Sequence, residues 1–281
     1  MEKTQSYKSF MRSPKRSIKH STYFDTYDFL FSKYRNRRIT FVEVGVLGGG
    51  SLHMWRDFFG ETSRIIGIDF NPDAKNLEQD GFEIFIGNQA DPQFWKNFKK
   101  EVGMIDVVLD DGGHTYEQQI VTMECLLENI SDGGLLVIED THTSYMNGFG
   151  FKSTSFINHS KNLIDMVNNR FSLLEQNAAD YRIWSIEFFE SLVAFKVNRP
   201  FTSCISALVE NHSPEGEPSD FRYEATPSIS MLYQIAHFFR IFKNLPGAYK
   251  TLEKVRDLLS AYHGWINLRK FLSREKKRDR H

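Results

Sequence analysis

Short apolar runs alternate with segments of helical periodicity along the first half of the chain. The apolar runs are rich in Val, Ile and Leu and stop at glycine or polar residues, as buried strands do; they cover residues 38–46, 64–69, 81–86, 105–110 and 134–139. Between them, three segments carry apolar positions at helical spacing, namely residues 51–59, 91–101 and 115–130. This alternation predicts an α/β fold, with a mostly parallel sheet and helices on both of its faces.

The alternation weakens after residue 140. Residues 141–150 are predicted to form a loop and residues 153–168 a helix, while two adjacent apolar runs at 181–188 and 191–197 predict an antiparallel hairpin at the sheet edge. Residues 227–272 have apolar positions at helical spacing and predict two or three helices interrupted at Pro246-Gly247. We therefore divide the chain into a basic N-terminal arm with a helix (1–36), an α/β domain (37–198), and a linker with a C-terminal helical extension and basic tail (199–281).

Composition places the chain among soluble globular proteins. Its 281 residues are 41% hydrophobic and 25% charged, with a formal net charge of −1, so neither a disordered chain nor a nucleic-acid partner is indicated. Two cysteines cannot build a disulfide framework, which favours a reducing compartment. No apolar run approaches the ~20 residues of a membrane span. We expect a cytoplasmic protein without a transmembrane segment.

The first candidate site is a glycine-rich turn between a strand and a helix, from Glu43 through Gly45 to Ser51. Glycines allow close approach of a ligand, and the helix start offers N–H donors. The turn does not contain the dinucleotide fingerprint G-x-G-x-x-G. Asp69 ends the second strand, where an acid can accept the hydroxyls of a ribose. Alone, the turn and the acid could also be a structural turn and a helix cap.

Polar side chains also follow the next three strands. Asn88 and Gln89 follow the third strand and could meet an adenine edge, although this stretch also suits a cap for the next helix. Two acid-rich motifs end the fourth and fifth strands, Asp110-Asp111-Gly112-Gly113-His114 and Glu139-Asp140-Thr141-His142. Carboxylates gathered at adjacent strand ends repel one another unless a cation lies between them, and hard oxygen ligands suit Mg²⁺, Mn²⁺ or Ca²⁺. A histidine beside them is suited to proton transfer.

The order of these motifs resembles class I S-adenosylmethionine-dependent methyltransferases. More narrowly, the chain is similar to the metal-dependent sugar O-methyltransferases of macrolide tailoring and to cephalosporin hydroxylase-like proteins, over roughly residues 19–150. The resemblance implies a Rossmann-like methyltransferase fold, with S-adenosylmethionine and Mg²⁺ (or Mn²⁺) as cofactors. Its implied cofactor-binding residues are Tyr23, Glu43, Gly45, Ser51, Asp69, Asn88, Gln89 and Asp110. Its implied metal ligands are Asp111, Glu139 and Asp140.

The same resemblance assigns the general base to His114, with His142 as a second acid/base candidate, and implies that residues 19–23 fold over the cofactor. The expected acceptor is a small molecule or glycan with two neighbouring oxygens, most simply a sugar diol that the metal chelates. The aromatic C-terminal helices would suit a subunit interface, so we expect a homo-oligomer. Other functions on the same residues are a metal-dependent hydrolase, a non-catalytic nucleotide- or glycan-binding module, and an NAD-dependent oxidoreductase, which the missing fingerprint disfavours.

Overall fold

A seven-stranded sheet organises the first of the two compact units of the chain, Met1–Leu208 and Val209–His281. The structure is a computed structural model, and it describes residues 4–171, 179–211, 230–231, 234 and 246–278. The helices and strands of the first unit are α1 (Gln5–Arg12), α2 (Tyr23–Phe31), β1 (Thr40–Val44), α3 (Gly50–Phe59), β2 (Arg64–Asp69), β3 (Glu83–Ile86), α4 (Pro92–Val102), β4 (Ile105–Asp110), α5 (Tyr116–Leu126), β5 (Ile130–Ile138), α6 (Phe156–Asn168), β6 (Ser185–Phe189), β7 (Leu192–Lys196) and α7 (Arg199–Thr202).

The strands lie in the order β3-β2-β1-β4-β5-β7-β6. Strands β1 to β5 run parallel to one another, whereas β7 is antiparallel to both β5 and β6. The predicted fold, a Rossmann-like parallel sheet with an antiparallel hairpin at its edge, is confirmed. The parallel order brings the carboxyl ends of β1, β2, β4 and β5 to a single edge of the sheet, where ligands of such folds bind.

Alternating strand residues build a separate core on each face of the sheet. Phe41 of β1 packs with Trp55 of α3 and with the aromatic residues of α2. The next residue, Val42, packs on the opposite face with helices α4, α5 and α6. This period of two is what a strand buried on both faces requires, and it fixes the register of the sheet. The predicted helices on both faces are confirmed.

Strand β5 begins earlier than the sequence indicates. Ile130 already pairs with Ile105, and the register shifts before Val107 pairs with Leu135. The preceding helix therefore ends at Leu126 and continues only as a 3-10 turn, Leu127–Asn129, rather than reaching residue 130. The predicted loop after β5 also contains a 3-10 turn, Thr141–Tyr145. Helical spacing alone does not separate an α-helix from the 3-10 turn that follows it.

The second unit contains a long helix, α8 (Pro246–Arg278). It begins at the Pro246-Gly247 pair where an interruption is predicted, and it continues as one helix to its end. Most of the predicted helical segment before Pro246 lies outside the described residues. In the part of the chain that the structure describes, no helix has the length and apolar character of a membrane span.

Candidate active site

A cavity of about 710 Å³ opens at the carboxyl ends of the parallel strands. Its size is within the usual range for a small-molecule or cofactor site. Seven of the predicted site residues line it: Gly45, Asp69, Asn88, Gln89, Asp111, His114 and Asp140. Five others are buried, with at most 4% of their surface exposed: Tyr23, Glu43, Ser51, Asp110 and Glu139. His142 lines a neighbouring cavity instead. The sequence thus identified the walls of the cavity together with the residues that support them.

Asp69 holds the turn that follows β1. Its Oδ2 accepts hydrogen bonds from the backbone N–H groups of Val46, at 3.0 Å, and Leu47, at 2.9 Å. Its Oδ1 accepts from the N–H of Asn71 at 2.9 Å. Asp69 also lines the cavity. The carboxylate is therefore fixed in place by three donors at the edge where a ribose would lie, and it shapes the glycine turn at the same time.

Glu43 and Ser51, both predicted to bind the cofactor, contact each other beside this turn. The Ser51 hydroxyl donates to Glu43 at 2.7 Å, and the indole N–H of Trp55 donates to its other oxygen at 3.1 Å. Burial raises the pKa of Glu43 to about 7, against the opposing charge of Lys19. Glu43 therefore anchors the start of α3 to the end of β1, which positions the turn that lines the cavity.

Gly45 is a position in the turn that tolerates no side chain. Its φ is +82°, and a Cβ there would lie 2.3 Å from the carbonyl oxygen of Asp111. We expect Gly45→Ala to lower the free energy of unfolding by about 2 kcal/mol or more, because strain and a backbone clash combine. Gly48→Ala is the control, since a Cβ there meets nothing within 4 Å. Chemical denaturation of both variants measures the difference, and equal losses would contradict the prediction.

Asp110 is a buried support for the loop after β4. Its carboxylate accepts from the Gln89 amide at 3.0 Å and from the Gly112 N–H at 3.1 Å. The amide oxygen of Gln89 in turn accepts from the Gly113 N–H at 2.9 Å. Burial raises the pKa of Asp110 to about 7, although these hydrogen bonds oppose the rise. Asp110 and Gln89 together fix the loop that carries Asp111 and His114.

The raised pKa of Asp110 gives stability a defined pH dependence. Between about pH 4 and pH 7 the unfolded chain loses this proton while the folded protein keeps it, so the free energy of unfolding falls as pH rises. As pH rises across that window, we expect wild type to lose stability relative to Asp110→Asn. The loss in the free energy of unfolding is at most about 4 kcal/mol. Chemical denaturation in EDTA at several pH values measures the shift, and a constant difference would contradict the assignment.

A buried ammonium group lies among the acids at the strand ends. Lys19 Nζ donates to Asp111 Oδ2 at 2.6 Å and to Glu139 Oε2 at 3.0 Å, and it lies 3.7 Å from Glu43 Oε1. The other oxygen of Glu139 accepts from the Tyr27 hydroxyl. Burial opposes the charge of Lys19, but attraction from Asp111 and Glu139 raises its pKa well above the usual value. For Glu139, burial raises the pKa, and the positive charge of Lys19 opposes this rise.

Asp140 contacts the predicted base. Its Oδ2 lies 3.3 Å from Nε2 of His114, and its Oδ1 accepts from the Tyr23 hydroxyl. Burial and this hydrogen bond raise the pKa of Tyr23. One ligand atom each from Asp111, His114 and Asp140 lies within 4.8 Å of the others, a spacing that could hold a metal ion. Asp140 also forms a second such group with His20 and His142.

His142 points toward the β6–β7 turn. Its Nδ1 is hydrogen-bonded to Ser191 Oγ, which also lies 2.9 Å from the Tyr23 hydroxyl. His142 and Ser191 line a second cavity of about 410 Å³, together with Thr141, Tyr145, Ile157, Lys161, Ile164, Phe188 and Phe189. A chain of polar contacts through Ser191 and Tyr23 thus connects this second cavity to Asp140.

Backbone strain is concentrated around these two cavities. Of the five non-glycine residues with positive φ in the described segments, four line a cavity: Leu47, His114, Asp140 and Ser191. Each carries a cost because a Cβ clashes in the left-handed region. Such strain persists only where the surrounding structure fixes it, and it clusters at functional sites.

Sequence reasoning missed the partners that come from distant segments. Lys19 was included only in the stretch predicted to cover the cofactor, and Tyr27 and Ser191 were not singled out. Lys19 and Tyr27 each lie more than a hundred positions from Glu139 in the sequence, and 168 positions separate Tyr23 from Ser191. No local motif marks these side chains. The one available signal was that several buried carboxylates require a positive partner.

Residues 42–141 match a family described as a methyltransferase domain. Demethylmacrocin O-methyltransferase of Streptomyces fradiae is 36% identical over 131 residues, covering 44% of this chain and 33% of that protein. Mycinamicin VI 2''-O-methyltransferase of Micromonospora griseorubida is 32% identical over 157 residues, covering 51% of this chain and 39% of that protein. The chain thus spans between a third and two fifths of the length of these curated relatives.

A solved structure extends the likeness beyond the matched domain. The MycE methyltransferase of the mycinamycin biosynthetic pathway, in complex with Mg and SAH, aligns with a TM-score of 0.63 and 26% identity. The alignment covers 80% of this chain and 59% of that one. The predicted resemblance is confirmed: residues 42–141 match a methyltransferase domain, and the chain is similar to sugar O-methyltransferases of natural-product biosynthesis.

Proposed function

We propose that this chain is an S-adenosylmethionine-dependent, Mg²⁺-dependent O-methyltransferase that acts on a sugar hydroxyl of a glycan or glycosylated natural product. One observation carries the proposal: a single cavity joins the ribose-type acid Asp69 to a group of metal-ligand type, Asp111, His114 and Asp140. These residues follow β2, β4 and β5, so they lie several strand spacings apart along one sheet edge. A site that binds a cofactor and an acceptor side by side needs such a distance between the residues that hold each of them.

The cavity fits S-adenosylmethionine. Asp69 presents a fixed carboxylate to the ribose, and Asn88 and Gln89 line the wall where the adenine would lie. Gly45 lines the same cavity, and its lack of a side chain lets the backbone of Asp111 and Gly112 pack against the turn. S-adenosylmethionine supplies an electrophilic methyl group when bound, and these residues align it with the acceptor. The match to the sugar O-methyltransferases and to the MycE structure supports the same cofactor.

The acid group fits a hard divalent cation. Asp111 and Asp140 offer carboxylate oxygens, which suit Mg²⁺ or Mn²⁺. Glu139, also proposed as a ligand, has both of its oxygens bonded to Lys19 and Tyr27. A bound Mg²⁺ supplies a Lewis acid that lowers the pKa of two neighbouring acceptor hydroxyls and fixes their position. The similar MycE methyltransferase was likewise solved in complex with Mg.

His114 removes the proton from the acceptor hydroxyl in this proposal. It lines the cavity, its Nε2 is 3.3 Å from Asp140, and it follows a loop whose N–H groups are hydrogen-bonded to Asp110 and Gln89. Asp140 orients the imidazole through this contact. His142 is hydrogen-bonded to Ser191 and lines the second cavity, where it can contact the acceptor.

The second cavity suits the part of the acceptor beyond the reacting sugar. Ser191 and His142 line it together with Phe188 and Tyr145, which are 44% and 69% exposed. Aromatic side chains at such a position gain stability when an apolar ring covers them. Several relatives are named for methylating sugars on macrolides or tetracenomycins, which supports a glycosylated acceptor.

We further propose that the protein is a cytoplasmic homo-oligomer. Both cysteines, Cys125 and Cys204, are free, which suits a reducing compartment. Helix α8 exposes large apolar side chains that include Tyr262 and Trp265. Burying such a surface against a second copy is favourable. Analytical ultracentrifugation tests this arrangement, and a sedimentation coefficient of a monomer at high concentration would contradict it.

Calorimetric titration of S-adenosylmethionine, in Mg²⁺ and in EDTA, tests the cofactor assignment directly. A second assay follows transfer of a labelled methyl group to glycosylated polyketides, free sugars and catechol. Binding together with Mg²⁺-dependent transfer to a glycoside is the expected result. Lack of S-adenosylmethionine binding in both buffers would overturn the proposal, and transfer to catechol alone would overturn the sugar acceptor.

A further inference from the structure

Lys19 occupies the centre of the acid group rather than its rim. Its side chain is 2% exposed, and its ammonium touches carboxylates from the ends of three adjacent strands, β1, β4 and β5. Within the described residues, the ion pairs of Glu43, Asp111 and Glu139 are all formed with Lys19. The ring of Tyr27 lies 5.8 Å from the same ammonium. The three carboxylates therefore share one positive partner, the ammonium of Lys19.

The segment that carries Lys19 is fixed on both sides. Ser13 donates its hydroxyl proton toward the carbonyl oxygen of Gly50 at 2.7 Å, and Lys15 forms an ion pair with Asp80. Helix α2 begins at Tyr23, whose hydroxyl is bonded to Asp140. Between these anchors, Ile18 lines the large cavity. The ammonium is thus delivered to the acids by a short, docked strap of residues 13–22 rather than by a freely moving tail.

Lys19 and a divalent cation need the same oxygens. Asp111 Oδ2 and Glu139 Oε2 both accept from Lys19, and Glu139 Oε1 accepts from Tyr27, so both oxygens of Glu139 already have a donor. A cation that uses Glu139 must share its oxygens with these donors and approach the positive charge of Lys19. A cation that uses only Asp111 and Asp140 must still approach against the positive charge of Lys19.

We propose that Lys19 is a built-in counter-ion that competes with the divalent cation for Asp111 and Glu139 and so sets the affinity of the site for Mg²⁺. The inference rests on the metal site of the proposed function. Without metal, Lys19 keeps the buried carboxylates compensated and the acid group folded. With metal, the ammonium yields at least one of its carboxylate contacts. Lys19 is a positioning residue in this account, because it acts on the metal ligands and not on the reacting atoms.

Titration of MgCl₂ alone into metal-free protein tests the competition, with Lys19→Met as the variant. Methionine keeps most of the apolar stem and removes the charge. We expect the variant to bind Mg²⁺ about tenfold more tightly, or more, because both the competitor and the repulsion are gone. Lys75→Met is the control: it also removes a paired lysine, and its partner Glu78 lies outside the acid group. The control should leave the Mg²⁺ affinity unchanged.

A second readout follows stability. EDTA should hardly change the melting temperature of wild type, whereas it should lower that of Lys19→Met by several degrees, and Mg²⁺ should restore it. If Lys19→Met does not fold in EDTA, Glu139→Gln is compared with the double variant Lys19→Met/Glu139→Gln, in which one charge of each sign is removed. Tighter Mg²⁺ binding by the double variant supports the competition.

Unchanged or weaker Mg²⁺ binding on removal of Lys19 would overturn the proposal, as would a lack of Mg²⁺ binding in wild type and variants alike. Neither experiment uses S-adenosylmethionine or an acceptor. A protein that binds S-adenosylmethionine but shows no effect of Lys19 on Mg²⁺ would therefore retain the methyltransferase assignment and lose only the competition. A protein that shows the competition but binds no S-adenosylmethionine would lose the proposed function instead.

Discussion

Replacing Asp69 with alanine should weaken S-adenosylmethionine binding by about a hundredfold or more. A hydrogen bond to a charged acceptor contributes about 1.5–3 kcal/mol, and a ribose offers two hydroxyls to this carboxylate. The loss extends to the turn, because Asp69 also accepts from Val46 and Leu47. Leu47 has a φ of +46°, a conformation that its side chain disfavours and that this contact helps to hold. Calorimetry on the purified variant measures the affinity.

Two further variants separate the ribose contact from the support of the turn. Asp69→Asn keeps one acceptor oxygen for the backbone but loses the charge, so its affinity should lie between those of wild type and Asp69→Ala. Asp73→Ala removes a nearby exposed acid and should bind S-adenosylmethionine as wild type does. If Asp69→Ala melts at the wild-type temperature and binds the cofactor with wild-type affinity, the ribose does not lie against Asp69.

The framework of the fold could be predicted because its physics is local. Each buried strand is a short run of Val, Ile and Leu, and β2 (Arg64–Asp69) and β4 (Ile105–Asp110) begin and end where the apolar pattern indicates. Parallel strands place their carboxyl ends together, so polar residues after separate strands were expected to share a site. Asp69 and Asp111 do line one cavity, although 42 positions separate them in the chain.

The arrangement within the acid group could not be predicted in the same way. The sequence indicated that several carboxylates need a cation, and a metal was the natural candidate. The structure shows that an ammonium from the N-terminal strap supplies part of that charge, since Lys19 contacts Asp111 and Glu139. Such a contact depends on how a distant segment docks, and the pattern around residue 19 carries no sign of it. Apolar periodicity also gives no indication of the left-handed backbone conformation at His114.

Replacing His114 with asparagine should lower kcat by about a hundredfold to ten thousandfold, the range lost when a general base is removed. Asparagine is the suitable replacement because His114 has a φ of +59°, and asparagine enters the left-handed region at a lower cost than alanine. The loop should therefore keep its shape, and S-adenosylmethionine affinity should stay at the wild-type value. Single-turnover methyl transfer to an acceptor from the screen, at saturating cofactor, measures the effect.

Titration of Mg²⁺ into the same variant decides what His114 does, because its Nε2 lies close enough to Asp140 to serve either as a base or as a metal ligand. A base leaves the Mg²⁺ affinity nearly unchanged while kcat falls, whereas a ligand lowers both together. His159→Asn is the control, since His159 pairs with Glu124 on helix α5 and lines neither cavity. Methyl transfer by His114→Asn at the wild-type rate would remove His114 from the mechanism and make His142 the remaining histidine to test.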